Sequence, residues 1–208
     1  MTRLPPVSRS ELILGGQKSG KSRRAEALAQ AWLAQPGDHQ ALLIATAQAS
    51  DDEMRQRIAR HQADRLLRVP AMRLLEEPLH LAEAISRHSH PNTLIVVDCL
   101  TLWLTNWLMP ATAALLPTAT ATPRKFMENQ PLAPVPVAQL AMILKAIENA
   151  PGPLVLVGNE IGLGVIPLGP EVRAFVDALG LLNQDVARTC QRVTLMAAGL
   201  PLTLKDLA

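Results

Sequence analysis

Short apolar runs alternate along the chain with longer segments in which apolar positions recur every three or four residues. A short apolar run between polar residues predicts a buried strand, and the longer spacing predicts a helix. The predicted strands cover 11–14, 41–45, 94–97, 153–157 and 193–197, and helices are predicted at about 25–33, 50–65, 100–108, 137–149 and 171–189. This alternation predicts an α/β fold in one mostly parallel sheet flanked by helices.

The segment between the first predicted strand and helix fits G-x-x-x-x-G-K-[ST], a phosphate-binding loop. It comprises Gly15, Gly16, Gln17, Lys18, Ser19, Gly20, Lys21 and Ser22, all predicted to contact nucleotide. Its glycines let backbone N–H groups wrap around phosphate oxygens at a helix N-terminus. Lys21 is expected to reach the β- and γ-phosphates, and the Ser22 hydroxyl to bind Mg²⁺. The motif in this context predicts a phosphate-loop NTPase-like protein and disfavours a turn that binds nothing.

Composition narrows the class of protein. The 208 residues can bury a good core, and we predict a single domain over 1–208. A net charge of +2 and only three Trp and two Phe argue against a nucleic-acid partner. Cys99 and Cys190 are far apart without metal-ligand spacing, so we expect reduced thiols.

One stretch, 94–117, is nearly free of charge and resembles a membrane segment in hydropathy. Asp98, Asn106 and Pro110 interrupt it, so we predict a soluble protein with no membrane span. Residues 1–10 contain no apolar targeting segment, which predicts a cytoplasmic location.

The segment at about 109–136 is unlike the rest of the chain. It contains six prolines among alanines and threonines, which excludes a long helix. We predict a surface excursion from the domain that is dispensable for the chemistry.

Asp98 directly follows the apolar run 94–97, so it is predicted at the carboxyl tip of a buried strand. In phosphate-loop proteins an acid at such a position meets Mg²⁺ or its water shell. The alternative is a strand-end aspartate that caps the following helix. The phosphate loop upstream favours the metal role.

His61 lies on a predicted helix that opens with a capping box of Ser50 and Glu53. Arg57 and Arg65 each lie four residues away from it, on the same side of the helix. Two nearby cations favour the neutral imidazole, whose nitrogen lone pair can attack an electrophile. The spacing alone leaves two alternatives open, a nucleophile and an ordinary solvated or capping histidine.

A glycine-rich loop, 158–167, follows the fourth predicted strand. Open α/β sheets bind ligands at the carboxyl ends of their parallel strands. Asn159 and Glu160 could therefore touch a substrate there, while the alternative is a flexible loop with polar side chains. No N-K-x-D guanine signature occurs, so a regulatory GTPase is not predicted.

Over about 11–205 the chain resembles the bifunctional adenosylcobinamide kinase/adenosylcobinamide-phosphate guanylyltransferase family of cobalamin synthesis. The combination is more specific than the phosphate loop alone. The matching segments are 15–22, 44–47, 52–54, 57–61, 76–79, 97–101, 159–164 and 182–184.

The resemblance implies two reactions. ATP or GTP phosphorylates the hydroxyl on the aminopropanol arm of adenosylcobinamide, and GMP from GTP is then transferred to that phosphate. The family's guanylylated histidine matches His61, with Lys21 as the other catalytic residue and Mg²⁺ as cofactor. Further nucleotide contacts implied by the match are Thr46, Ala47, Gln62, Ala63, Asp64, Arg65, Glu76 and Asp98. The family also implies a homo-oligomer, a trimer.

Three features depart from the family pattern. Lys18 stands where the family usually has arginine, and Met72 replaces a common tryptophan before Arg73. The 109–136 segment is longer than usual. Two other classes of function are a small-molecule kinase without nucleotidyl transfer and a non-catalytic nucleotide-binding regulatory module.

Overall fold

The protein is described by a computed structural model, which covers residues 6–49, 52–109 and 137–207. Its strands form one sheet in the order β3-β2-β4-β5-β1-β6-β7, parallel except for β7. The strands are β1 Ser10–Gly15, β2 Gln40–Ala45, β3 Arg73–Glu76, β4 Thr93–Asp98, β5 Leu154–Val157, β6 Arg192–Ala197 and β7 Leu200–Asp206. The helices are α1 Lys21–Leu33, α2 Asp52–Arg68, α3 Leu81–His88, α4 Leu100–Leu108, α5 Val137–Asn149 and α6 Pro170–Thr189.

The core has two layers, one on each face of the sheet. Alternate residues of each central strand point to opposite faces, so Leu12 joins one cluster and Ile13 the other. The first cluster packs against α3, α4, α5 and α6, and the second packs against α1. This confirms the predicted α/β fold with a mostly parallel, helix-flanked sheet.

Three elements were absent from the sequence prediction: β3, α3 and β7. β3 is only four residues long and mostly exposed, and six of the seven residues of β7 are exposed, so neither shows a buried apolar run. Helix α2 also continues to Arg68, three residues beyond its expected end. Ser50 of the capping box and the proline-rich segment, apart from Met109, lie outside the described residues.

The two cysteines are free thiols, as predicted, and the structure shows that both are buried. Burial raises the pKa of the Cys99 thiol to about 11 and that of Cys190 to about 12. Within the described ranges, none of the helices has the length and apolar character that crossing a bilayer requires.

Candidate active site

The phosphate loop joins the carboxyl end of β1 to the first turn of α1. Lys18 and Gly20 adopt left-handed backbone conformations, with φ of 55° and 102°. The Lys21 ammonium folds back and donates to the Gly16 carbonyl at 2.6 Å. This contact holds the cation over the loop, in the place where the motif requires it to meet phosphate oxygens.

Lys21 is buried, with 8% of its surface exposed. Burial lowers its pKa, and the cation of Arg57 on α2 lowers it further, while Cys99 and Asp98 act in the opposite direction. A desolvated ammonium interacts strongly with an anion because little water screens the charge. The burial of Lys21 therefore agrees with the predicted contact to phosphate oxygens, which remains a prediction.

Asp98 reaches the same loop from the end of β4. Its Oδ2 accepts a hydrogen bond from the Ser22 hydroxyl at 3.0 Å. Helix α4 begins at Leu100 after Cys99 as its N-cap and has no side-chain cap, so the contact to Ser22 agrees better with a metal role than with helix capping.

A hydroxyl and a carboxylate side by side are the oxygen ligands that Mg²⁺ prefers, with nucleotide phosphates completing its shell. In the described ranges, no group of three or more His, Cys, Asp or Glu side chains could hold a metal by itself. By the chemistry of their oxygen atoms, Ser22 and Asp98 fit the role of protein ligands to Mg²⁺, and that role remains a prediction.

His61 lies beside this pair. A small cavity of about 20 Å³ is lined by Ser22, Asp98, His61 and Arg65, together with Ala25, Glu26, Leu43, Met72 and Val96. The imidazole itself is exposed, whereas Arg65, one turn later on α2, is buried. The fold thus brings α2 against the phosphate loop, although His61 lies 39 positions after Ser22 in the sequence.

The other predicted contacts are distributed around this centre. Thr46 is fully buried next to Asp98, where its hydroxyl donates to the Cys99 carbonyl and accepts from the Cys99 amide. Ala47 follows it at the carboxyl edge of the sheet. Asn106, which sequence reasoning missed, fixes this turn by donating to the Thr46 carbonyl at 2.8 Å.

Three further residues of α2 were predicted to contact nucleotide: Gln62, Ala63 and Asp64. Gln62 donates to Glu76 of β3 at 3.5 Å. Asp64 pairs with Arg68 at 3.3 Å, and Arg68 also pairs with Glu26 of α1 at 2.7 Å. Ala63 is exposed. The structure does not bring Asp64 to the phosphate loop, and the nucleotide roles of this group remain predictions.

The β6–β7 turn also supports the phosphate loop, and sequence reasoning missed it. The Gly199 amide donates to the Ser19 carbonyl at 3.0 Å. A Cβ on Gly20 would lie 3.2 Å from the Gly199 Cα, so the two backbones touch. The signal in the sequence was the Ala198-Gly199 pair between two apolar runs, which favours a tight turn.

The glycine-rich loop after β5 meets the phosphate loop on its other side. The Glu160 amide donates to the Gly15 carbonyl at 3.1 Å, and the Asn159 amide donates to Thr101 at 2.8 Å. Asn183 of α6 donates to the Asn159 carbonyl at 3.1 Å. The predicted position of Asn159 and Glu160 at the carboxyl edge is therefore correct.

A phosphate loop between β1 and α1 of a parallel sheet, with its serine bonded to a strand-end aspartate, defines the class of phosphate-loop nucleotide-binding proteins. Residues 11–204 match the family described as "Cobinamide kinase / cobinamide phosphate guanyltransferase", and the chain belongs to this family.

Three curated relatives agree with this assignment. The chain is 43% identical over 197 residues to "Bifunctional adenosylcobalamin biosynthesis protein CobP" of Pseudomonas aeruginosa, covering 94% of this chain and 96% of that protein. It is 33% and 34% identical to "Bifunctional adenosylcobalamin biosynthesis protein CobU" of Escherichia coli and Salmonella typhimurium, each match covering 93% of this chain and 98% of the relative. Among solved structures, the flagellar accessory protein FlaH of Methanocaldococcus jannaschii matches with a TM-score of 0.47 and 10% identity, over 97% of this chain and 80% of that chain.

The protein is thus a bifunctional enzyme of cobalamin biosynthesis, which phosphorylates adenosylcobinamide and transfers GMP to the product. This excludes the two other classes considered from the sequence, the kinase without nucleotidyl transfer and the non-catalytic module. Both reactions use nucleotide substrates.

Proposed function

We propose that the guanylyl transfer passes through a covalent intermediate on His61. The observation that carries this proposal is that His61, Ser22 and Asp98 line one cavity. A nucleotide held by the phosphate loop would therefore lie within reach of the imidazole. Arg57 and Arg65 lie one turn of α2 on either side of His61, where their cations could hold the phosphates of a substrate.

In the first step a ring nitrogen of His61 attacks the α-phosphorus of GTP. A P–N bond forms, the bond from the α-phosphorus to the bridging oxygen breaks, and pyrophosphate leaves with that electron pair. In the second step a phosphate oxygen of adenosylcobinamide phosphate attacks the same phosphorus. The P–N bond then breaks, which restores His61 and releases adenosylcobinamide-GDP.

We propose that the kinase step uses the same phosphate loop, with ATP or GTP as donor. Lys21 stabilises negative charge on the transferring phosphoryl group, and the loop orients it toward the substrate hydroxyl. Ser22 and Asp98 would hold Mg²⁺, which neutralises phosphate charge when it is bound. No nucleophilic side chain is required in this step.

A labelling experiment separates the two steps. His61→Ala incubated with α-labelled GTP and Mg²⁺ should carry no label after denaturing electrophoresis, whereas the wild type should carry an acid-labile one. The variant should still phosphorylate adenosylcobinamide, because transfer of the γ-phosphoryl group needs only positioning and charge. Lys21→Ala should lose both activities, since removal of one positioned charge typically costs about 3–4 kcal/mol in transition-state stabilisation.

His90→Ala is the matched control, because this exposed histidine lies away from the phosphate loop. Its labelling and kinase activity should equal those of the wild type. Normal α-labelling of His61→Ala would place the nucleophile on another residue. Normal guanylylation of Lys21→Ala would show that the two reactions do not share the loop.

We also propose that the enzyme works in the cytoplasm as a homo-oligomer, specifically a trimer. The edge strand β7 exposes Leu200 and Leu202 to 69% and 57%, and an uncovered apolar edge is a typical contact between subunits. Light scattering of the native protein should give three times the chain mass of 22.5 kDa. A mass of one chain would reject the assembly without affecting the assignment of the reactions.

A further inference from the structure

Two segments that carry the family resemblance have no part in the nucleotide chemistry above, and the fold brings them together. They are 159–164 after β5 and 182–184 on α6. Besides the bond from Asn183 to Asn159, the side chains of Glu160, Asn183 and Gln184 line one cleft of about 570 Å³. Its other walls are Leu14, Gly180, Ala187, Arg188, Val193, Leu204 and Lys205.

The cleft contains an unused hydrogen-bond acceptor. Asn183 is only 4% exposed, and its Oδ1 has no partner among the described residues. Buried acceptors are almost always paired, and leaving one unpaired costs free energy. Asn183 lines the cleft, so a rotation of its amide would present this atom to a ligand that donates an N–H.

The cleft lies beside the phosphate loop. Leu14, in its wall, directly precedes Gly15, and the Glu160 amide donates to the Gly15 carbonyl at 3.1 Å. A ligand held here would therefore have one end next to the nucleotide phosphates. This is where the acceptor of a phosphoryl group must be bound.

Past Glu160, the loop presents apolar side chains to solvent. Leu163, Val165, Ile166 and Leu168 are 79%, 96%, 76% and 96% exposed. No residue from Ile161 to Leu168 is charged. Exposed apolar patches of this kind mark interaction sites.

We propose that the Glu160 loop and this cleft form the corrinoid-binding site. The corrin ring offers broad hydrocarbon surfaces, which suit the apolar loop, and primary amides at its rim, which can donate to Asn183 Oδ1 and Glu160. This orientation directs the aminopropanol arm toward the phosphate loop. The proposal rests on the kinase and guanylyltransferase activity and is independent of the histidine intermediate.

The double variant Val165→Gln/Leu168→Gln tests the apolar loop. Both side chains are almost fully exposed, so the change should not disturb the core. The KM for adenosylcobinamide in the kinase reaction should rise about tenfold, because both substituted side chains lose apolar contact area with the corrinoid. The KM for ATP should stay unchanged. Met142→Gln, which replaces an exposed apolar residue of α5, is the matched control and should leave both values unchanged.

Gln184→Leu tests the cleft with little change in volume, and should weaken binding of cobinamide itself, measured by equilibrium dialysis without nucleotide. Unchanged corrinoid KM and dialysis affinity in both variants would overturn the proposal. A changed native mass with unchanged corrinoid affinity would also overturn it, because the loop would then contact another copy of the chain. Absence of corrinoid turnover by the wild type would instead reject the enzymatic function.

Discussion

Single side chains at the carboxyl edge of the sheet combine charge with burial. Lys21 is a buried cation whose pKa is lowered mainly by desolvation, and Asp98 supplies a nearby carboxylate. The Ser22 hydroxyl is oriented by its bond to Asp98. Together they place a buried cation beside a hydroxyl and a carboxylate, an arrangement that suits the proposed binding of phosphates and Mg²⁺.

Asp98→Asn tests the proposed metal role. The substitution keeps the shape and removes the charge, so the Mg²⁺ concentration for half-maximal kinase activity should rise about tenfold or more. The free energy of unfolding should change little, because the amide can still accept from Ser22. A Mg²⁺ titration of the kinase reaction, together with urea denaturation, measures both.

Asp185→Asn is the control for Asp98→Asn, because its carboxylate pairs with Arg188 on the surface of α6. Its Mg²⁺ titration should match that of the wild type. If Asp98→Asn also matched, the carboxylate would have no part in binding the metal.

The phosphate loop is supported by two elements that follow it far along the sequence. The β6–β7 turn contacts it through Gly199, and the loop after β5 contacts it through Glu160. Helix α2 is joined to α1 by the Arg68–Glu26 pair, and its His61 lines a cavity with Ser22. The candidate site is therefore assembled from the phosphate loop, the two loops that contact it and helix α2.

Gly20→Ala should destabilise this assembly. Its φ of 102° disfavours a side chain, and the new Cβ would lie 3.2 Å from the Gly199 backbone. Strain of this kind costs about 1–3 kcal/mol in unfolding free energy. Urea denaturation without nucleotide should show the loss.

Gly16→Ala is the matched control within the same loop. A Cβ there meets nothing within 4 Å, and the residue is not in a left-handed conformation. Its unfolding free energy should stay close to that of the wild type. Equal stability of the two variants would mean that the turn of β6–β7 adapts to the extra atom.

A buried ionic network connects strands β1 and β6 with helix α1 at the centre of the molecule. Glu11 of β1 is 1% exposed and pairs with Arg24 of α1 at 2.9 Å and with Arg192 of β6 at 3.7 Å. Thr194 also donates to Glu11 at 2.8 Å. The network fixes α1, and hence the phosphate loop before it, against the sheet.

Arg24→Ala should therefore destabilise the whole molecule. Removal of one partner from a buried ion pair typically costs about 3–5 kcal/mol, because the other charge stays buried. Arg55→Ala is the control, since its pair with Asp52 is exposed and such pairs contribute about 0–1 kcal/mol. Equal urea midpoints for the two variants would show that Arg192 alone compensates Glu11.

The sequence by itself determined the elements with strong local signals. Buried runs such as 94–97 and the phosphate loop were predicted correctly because their side-chain pattern and motif reflect local chemistry. Strand β3 and strand β7 were missed because edge strands bury little and owe their pairing to neighbours, not to apolar runs.

Only the tertiary structure decided which distant residues share a site. His61 and Asp64 lie three residues apart on α2 but have different neighbours. His61 lines the cavity with Asp98, whereas Asp64 pairs with Arg68. Residue spacing along a helix defines its faces, but not what each face meets. That depends on the sheet order, which places the ends of β1, β4 and β5 together and so brings Asn183 to the Glu160 loop.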